Sequence, residues 1–350
     1  MVRPYALLRA GFPYVKTIGE FMRMHFPVDL AISDDGVLYV LQTGSNYTKG
    51  KSGPILITNL NDDNLGSFGW KAYDDNFVGD ATFMWPVQIR LDSQQQRLFI
   101  SDSATHRISV FTKWGEYLGK WGEHGQSSGQ LNRPAGIAVD GDDTVYVVDT
   151  MNHRIQRFTW EGRHISSFGG LGSEPGKFNM PWGITIDDEG FIHIADWRND
   201  RIQKLTKDGE FISSFGTSGH QDGQLYRPSA VEVDQDGDVY ICDWGNNRVQ
   251  LFTPDGRFVQ KFVGDATMSA ANLERMLTRP AKLRRIRETA PVEPEKYFAR
   301  PRSVRVDSQY HMYVPDYEHY RIQIYKKQAY PMADTEVTPH CVSQLSITCS

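Results

Sequence analysis

The chain has 350 residues, 39% of them hydrophobic, and a formal net charge of −5 at pH 7. That supports a sizeable folded core and excludes bulk electrostatic attraction to DNA or other polyanions. Three cysteines, Cys242, Cys341 and Cys349, are too few and scattered for a disulfide framework, and no stretch is long and apolar enough to cross a membrane.

The opening segment MVRPYALLRAGFPY lacks a sustained apolar core and a small-residue cleavage site, so it makes a poor signal peptide and the expected compartment is the cytoplasm. Tyr14–Glu20 (YVKTIGE) reads as a single strand. From Pro27 onward a unit recurs. Pro27, Pro86, Pro134, Pro181, Pro228 and Pro301 each open one, at spacings of 48, 47 and 47 residues in the centre and 59 and 73 in the first and fifth units. A fixed period of this size decides the architecture before any motif is read. Within a unit the order is strand, turn, strand, loop, strand, turn, strand. The third unit shows it in AGIAVD, TVYVVD, RIQRFT and RHISSFG, short alternating apolar runs bounded by Asp/Gly turns.

The loop between the second and third strands carries a polar cluster, VVDTMNHRIQRF from Val147 to Phe158. Asp149 stands five residues before Arg154, and the same pair recurs as Asp102/Arg107, Asp196/Arg201, Asp243/Arg248 and Asp316/Arg321. Catalytic constellations are assembled once per chain, so a cluster repeated five times is read as structural. Asp and Arg are expected to supply hydrogen bonds to a turning backbone, and His106, His153 and His319 lie in the same loops on different blades, too peripheral to converge on a metal. Gln42 and Tyr47 replace the pair in the first unit.

A four-stranded unit cannot bury both faces alone, so six units are expected to stack radially into an all-β, six-bladed propeller spanning residues 14–328, followed by a tail at 329–350. The last unit supplies three strands, and Tyr14–Glu20 is expected to complete it and close the ring. Turns such as SDDG, DDEG and KDG at one end are short. Insertions fall at the other end, the top face, at 43–53, 71–84 and 264–300. The third insertion holds RMLTRPAKLRRIRE, and Arg275–Arg305 contains ten Lys/Arg against three Glu.

The string GQLNRPAGIAVDGDDTVYVVDTMNHRIQRFTWEGRHISSFGG resembles an NHL repeat, and GKFNMPWGITID and GQLYRPSAVEVD open two further similar units. The resemblance implies a propeller and leaves function open, since propellers host both enzymes and passive binding modules. In the NHL-like peptidyl-hydroxyglycine amidating lyases it would place zinc-binding His directly after the inner-strand prolines. Here those residues are Val28, Val87, Ala135, Trp182, Ser229 and Arg302, so no zinc site is expected. Calcium on Asp29 and Glu232 is the alternative, because propeller lactonases use channel carboxylates; otherwise no cofactor is expected.

The second and fourth residues after each proline are expected to lean into the central channel. Most are small, and the charged exceptions are Asp29, Arg90, Glu232 and Arg305. The rim adds Arg227, Arg302, His25 and Trp85, and Trp197, Trp244 and Tyr317 follow the repeat Asp in three consecutive units. These residues point to a monomeric enzyme of lyase or hydrolase type acting on a small carboxylate-bearing substrate. Glu232, Asp29 or His25 would serve as acid or base, and Arg90, Arg227, Arg302 and Arg305, with Trp85, Trp197, Trp244 and Tyr317, would bind. The alternative is a module binding protein or RNA through the top face.

Overall fold

Val145–Asp149 (VYVVD) is buried at every position, which an isolated half-exposed strand could not sustain. The reason is that its two faces belong to different cores. Val145 and Val147 pack with Phe99 and Ile108 of the preceding blade, while Tyr146 and Val148 pack with Ile184 and Ile194 of the following one. The same division holds around the molecule, giving six apolar clusters, one between each pair of neighbouring blades. Period-two alternation thus sorts side chains between neighbours.

The computed structural model describes residues 8–19, 24–43, 55–71, 81–267 and 296–331. It is all-β, with six four-stranded antiparallel sheets in a ring. Blade three is Pro134–Val139, Val145–Asp149, Arg154–Phe158 and His164–Gly169 from the axis outward, and the others follow suit. Blade six takes Arg305–Val306, His311–Asp316 and Arg321–Lys326 from the chain's end and Tyr14–Ile18 from its beginning, so the expected closure is observed. Gln328–Pro331, at the junction of the expected propeller and tail, forms a second antiparallel pair with Leu8–Gly11. Lys327, which joins Arg321–Lys326 to Gln328–Pro331, is buried, and its ammonium lies 2.7, 3.0 and 2.7 Å from carboxylates of Asp234, Asp236 and Asp238 in blade five. Of the insertions only the ends are described; 275–288, Cys341 and Cys349 lie outside the described residues.

The repeated Asp and Arg have the structural role their recurrence implied. Asp149 is fully buried and lies opposite Pro134 in the ladder. Its Oδ1 accepts the Asn132 N–H at 2.6 Å, and its Oδ2 accepts from Asn152 Nδ2, Arg154 Nε and Gln156 Nε2 at 2.8, 2.8 and 3.0 Å. Arg154 Nη2 donates onward to the carbonyls of Ser127 and Gln130. Asp196 and Asp243 repeat the set with Asn179, Arg201 and Gln203, and with Tyr226, Arg248 and Gln250. The glutamine seven residues after the Asp is a fourth member that the Asp–Arg pairing alone does not reveal.

His153 staples one blade to the next. It caps a short 3-10 turn in the left-handed region at φ 55°, and its Nδ1 accepts the N–H of Met180 at 2.9 Å. His106 does the same for Arg133, Asp200 for Arg227 and Asn247 for Arg300. The captured residues each precede a blade-opening proline and are themselves left-handed, with φ of 52–55°. His193 occupies the place of Tyr146 and Tyr240 in the second strand of its blade. Its Nε2 pairs with Asp187 at 2.8 Å, and against the cost of burial this bond with those from Phe191 and Lys204 holds the Asp187 carboxyl at about 2.

Two outcomes follow. Deleting residues 1–18 leaves Arg321–Lys326 as an unprotected edge and is expected to lower the melting temperature and promote association; an unchanged melt on a monodisperse species would contradict closure. Burial holds the imidazoles of His106 and His153 below the ordinary 6.5. The unfolded chain therefore takes up protons first, and their stabilisation, complete above that value, is lost as pH falls through it. The double variant His106→Asn/His153→Asn, copying Asn247, should show a smaller drop in melting temperature between about pH 7.5 and about pH 5.5 than the parent.

Candidate functional site

At the axis the inner strands pack against one another, and the residue two past each proline faces its neighbour. A Cβ on Gly136 would come within 2.5 Å of the Trp182 carbonyl, and one on Gly183 within 2.7 Å of the Ser229 carbonyl, so blades three to five meet through backbone. Asp29 and Gln88 at the same position instead accept the N–H groups of Ile89 and Ile137 in the next blade. These second positions, expected to line a channel, are buried between blades.

The charged exceptions converge. Arg305 Nη2 lies 2.6 Å from Asp29 Oδ2 and its Nη1 lies 2.7 Å from Glu232 Oε2, while Arg90 reaches the same two oxygens at 3.6 and 3.3 Å. Blades one, two, five and six are therefore braced across the axis by two cations and two carboxylates. Burial, then the charge of Arg305, pushes the Arg90 guanidinium down to about 10. For Arg305 burial acts in the same sense, yet Asp29 and Glu232 carry it above the ordinary value. Glu232 is the more open carboxylate, its side chain 16% exposed against 1% for Asp29, and Thr185 Oγ1 donates to its Oε1 at 3.2 Å. The cation between these carboxylates is the guanidinium of Arg305, and among the described residues no group of three or more His, Cys, Asp or Glu side chains is placed to hold a metal ion.

Above this brace the rim carries stacked aromatics and arginines. Trp182, Trp197 and Trp244 form a row with ring centroids 6.2 and 6.3 Å apart. Arg227 lies 4.9 Å from the Trp197 ring centre and Arg198 5.8 Å. On blade six Arg302 lies 4.4 Å from the centre of Tyr317, which contacts Phe26 at 5.0 Å. Burial pushes the Arg302 guanidinium down, and its Nε is buried without a hydrogen-bond partner, as is Trp244 Nε1. Blades five and six adjoin here: Ser229 Oγ donates to the Arg302 carbonyl at 2.9 Å and Cys242 Sγ to that of Pro301 at 3.1 Å. Burial pushes the Cys242 thiol up to about 12, leaving it unreactive.

Of the residues singled out from sequence, Asp29, Arg90, Glu232 and Arg305 form the brace, and Arg227, Arg302, Trp197, Trp244 and Tyr317 form the rim. His25 stands apart on blade one, its ring 6.4 Å from that of Tyr320, and Trp85 is 57% exposed on blade two. Trp182 and Arg198 escaped notice as site residues; Trp182 shares the post-proline offset of Arg302, and Arg198 follows the rim tryptophan.

Three segments, 131–158, 178–205 and 225–252, match the NHL repeat. No curated protein matches the chain. Among solved structures, a streptogramin B lyase aligns at 13% identity and TM-score 0.55, covering 92% of this chain and 98% of its own. A catalytically inactive virginiamycin B lyase from Staphylococcus aureus with quinupristin aligns at 15% identity and TM-score 0.54, covering 93% and 89%. A Bacteroides thetaiotaomicron protein of unknown function aligns at 16% identity and TM-score 0.60, covering 92% and 76%. At these identities the likeness is one of fold. No helix among the described residues is long and apolar enough to cross a membrane.

The brace predicts strong coupling. Arg305→Met should lower stability by about 3–5 kcal/mol by stranding buried carboxylates. Adding Asp29→Asn should recover part of that loss, a non-additivity of about 0.5–3 kcal/mol in denaturant unfolding. Additive losses would show that the two side chains do not share a network.

Proposed function

We propose that the protein binds a small, planar, carboxylate-bearing molecule on the top face, over the braced axis and against Trp197, Trp244 and Tyr317. One observation carries the reading: Arg227 and Arg302 are stacked on aromatic rings and form no ion pair among the described residues, whereas Arg90 and Arg305 are each held by carboxylates. A guanidinium on an aromatic face keeps its planar donor edge available for a carboxylate, and the ring beside it accepts a flat ligand. The four charges beneath sum to zero, so they do not repel an anion.

Turnover of lyase or hydrolase type is the second element of the proposal. Glu232 favours it, being the carboxylate of the brace that solvent reaches, and two of the similar folds are those of lyases. Both arginines already occupy its Oε2, so Oε1, bonded by Thr185, is the oxygen left for proton transfer. Asp29 is enclosed, and His25 would act from blade one. A module recognising RNA would use the same stacking surface.

Replacing the arginine that receives the carboxylate, Arg227→Ala or Arg302→Ala, is expected to weaken binding of an aromatic monocarboxylate at least about tenfold, as for loss of a charge-assisted hydrogen bond, with the melting temperature retained. Tryptophan fluorescence titration provides the check. Glu232→Gln should abolish turnover and keep binding; wild-type turnover in this variant would remove Glu232 from the chemistry. Binding confined to single-stranded RNA, steeply salt-dependent, would overturn the small-molecule reading.

A further inference from the structure

The rim contains two separate cationic centres. One surrounds Trp197, where Arg198 and Arg227 approach the indole and Trp182 and Trp244 flank it. The other is Arg302 on Tyr317 in blade six, two blades on from Trp197. Among the described residues none of these three arginines forms an ion pair. The nearby Arg300, by contrast, pairs with Glu318 at 3.2 Å. The two centres also differ in wetness. Arg198 is exposed and Arg227 partly so, while Arg302 is pushed down by burial and keeps an unpartnered Nε; Trp244 Nε1 is likewise buried and unpartnered. Each such donor has lost water without gaining an acceptor, and native structures seldom leave that deficit unanswered.

Resting on the top-face reading above, we propose that the ligand is a dianion: a flat molecule with two separated carboxylates, one received by Arg227 and Arg198, the other by Arg302. A single carboxylate would satisfy one centre and leave the other cation uncompensated. With two, the second contact becomes intramolecular and multiplies affinity through effective concentration. The planar spacer is set by what lies between the charges, namely the indoles of Trp197 and Trp244, whose faces favour stacking over aliphatic packing. The left-handed backbone of Arg227, held by Asp200, fixes the direction of one arm. The Ser229–Arg302 bond ties blade six to blade five and fixes the other. Two anchors on rigid elements select for the span between carboxylates.

The test titrates tryptophan fluorescence of the full chain with benzoate, benzene-1,3-dicarboxylate and naphthalene-2,6-dicarboxylate. At least one dicarboxylate is expected to bind about tenfold or more tightly than benzoate. Arg227→Ala and Arg302→Ala should each reduce that dicarboxylate to the level of benzoate, while benzoate itself loses affinity in only one of the two variants. Equal affinity for mono- and dicarboxylates, with benzoate binding intact, would overturn the dianion and leave the anion site standing. Failure of all three probes to bind would overturn both. A dicarboxylate advantage that survives both substitutions would place the second anion elsewhere and likewise refute the assignment. Circular dichroism melts of each variant separate lost binding from lost folding.

Discussion

One buried carboxylate in each of blades two to six organises this ring. Its place follows from proline chemistry. The proline that opens each inner strand has no N–H to give, and the ladder shifts register beside it, as between Pro134 and Ile137 or Pro181 and Ile184. The backbone entering the blade then presents N–H groups without strand partners. Asp149, Asp196, Asp243 and Asp316 each take the N–H two residues before their proline. A carboxylate suits the task because it offers about four acceptor sites and no donor. Burying it alone would cost several kcal/mol, so the arginine five residues on neutralises it and carries the network to connector carbonyls.

The second device depends on the first. Once the repeat Asp fixes the entry, the residue before the proline adopts a left-handed backbone, which for a non-glycine residue costs of the order of 1–3 kcal/mol. His106, His153, Asp200 and Asn247 offset it by accepting that residue's N–H from the preceding blade. From blade two to blade six the rim is thereby tied both to its own connector and to its neighbour. Side chains such as Arg227 are presented by a backbone with little freedom to relax, which is what a pre-organised binding surface requires.

Much of this was legible in the sequence because repetition converts chemistry into period. Blade number, strand order and closure by Tyr14–Ile18 follow from spacing and from one missing strand. The structural role of the Asp–Arg pair follows from its recurrence. Pairing across the ring was not legible. Nothing local in PVDLAI or SVRVD tells that Arg305 meets Asp29 from the other end of the chain, nor does TMNHR tell that His153 reaches forward to Met180. The second post-proline positions were misplaced because the alternation rule gives two faces and not which face meets a neighbour. In blades three to five Gly136 and Gly183 let backbones close the gap that side chains were expected to fill.

A propeller built from near-identical blades has no preferred site until symmetry is broken, and here it is broken twice at different heights. At the axis the exceptions are complementary: two arginines and two carboxylates cancel, join blades one, two, five and six, and consume one another's hydrogen-bonding capacity. At the rim the exceptions are alike. Blades four, five and six replace the small residue after the repeat Asp with Trp197, Trp244 and Tyr317, and cations stack on the first and last of these without carboxylate partners among the described residues. Complementary exceptions lower the energy of the empty protein, so they are adequately explained by folding. Like charges gathered on aromatic faces do not stabilise the empty protein to the same degree, and their grouping is explained by what they receive. That difference, rather than the presence of charge as such, separates the brace from the binding surface.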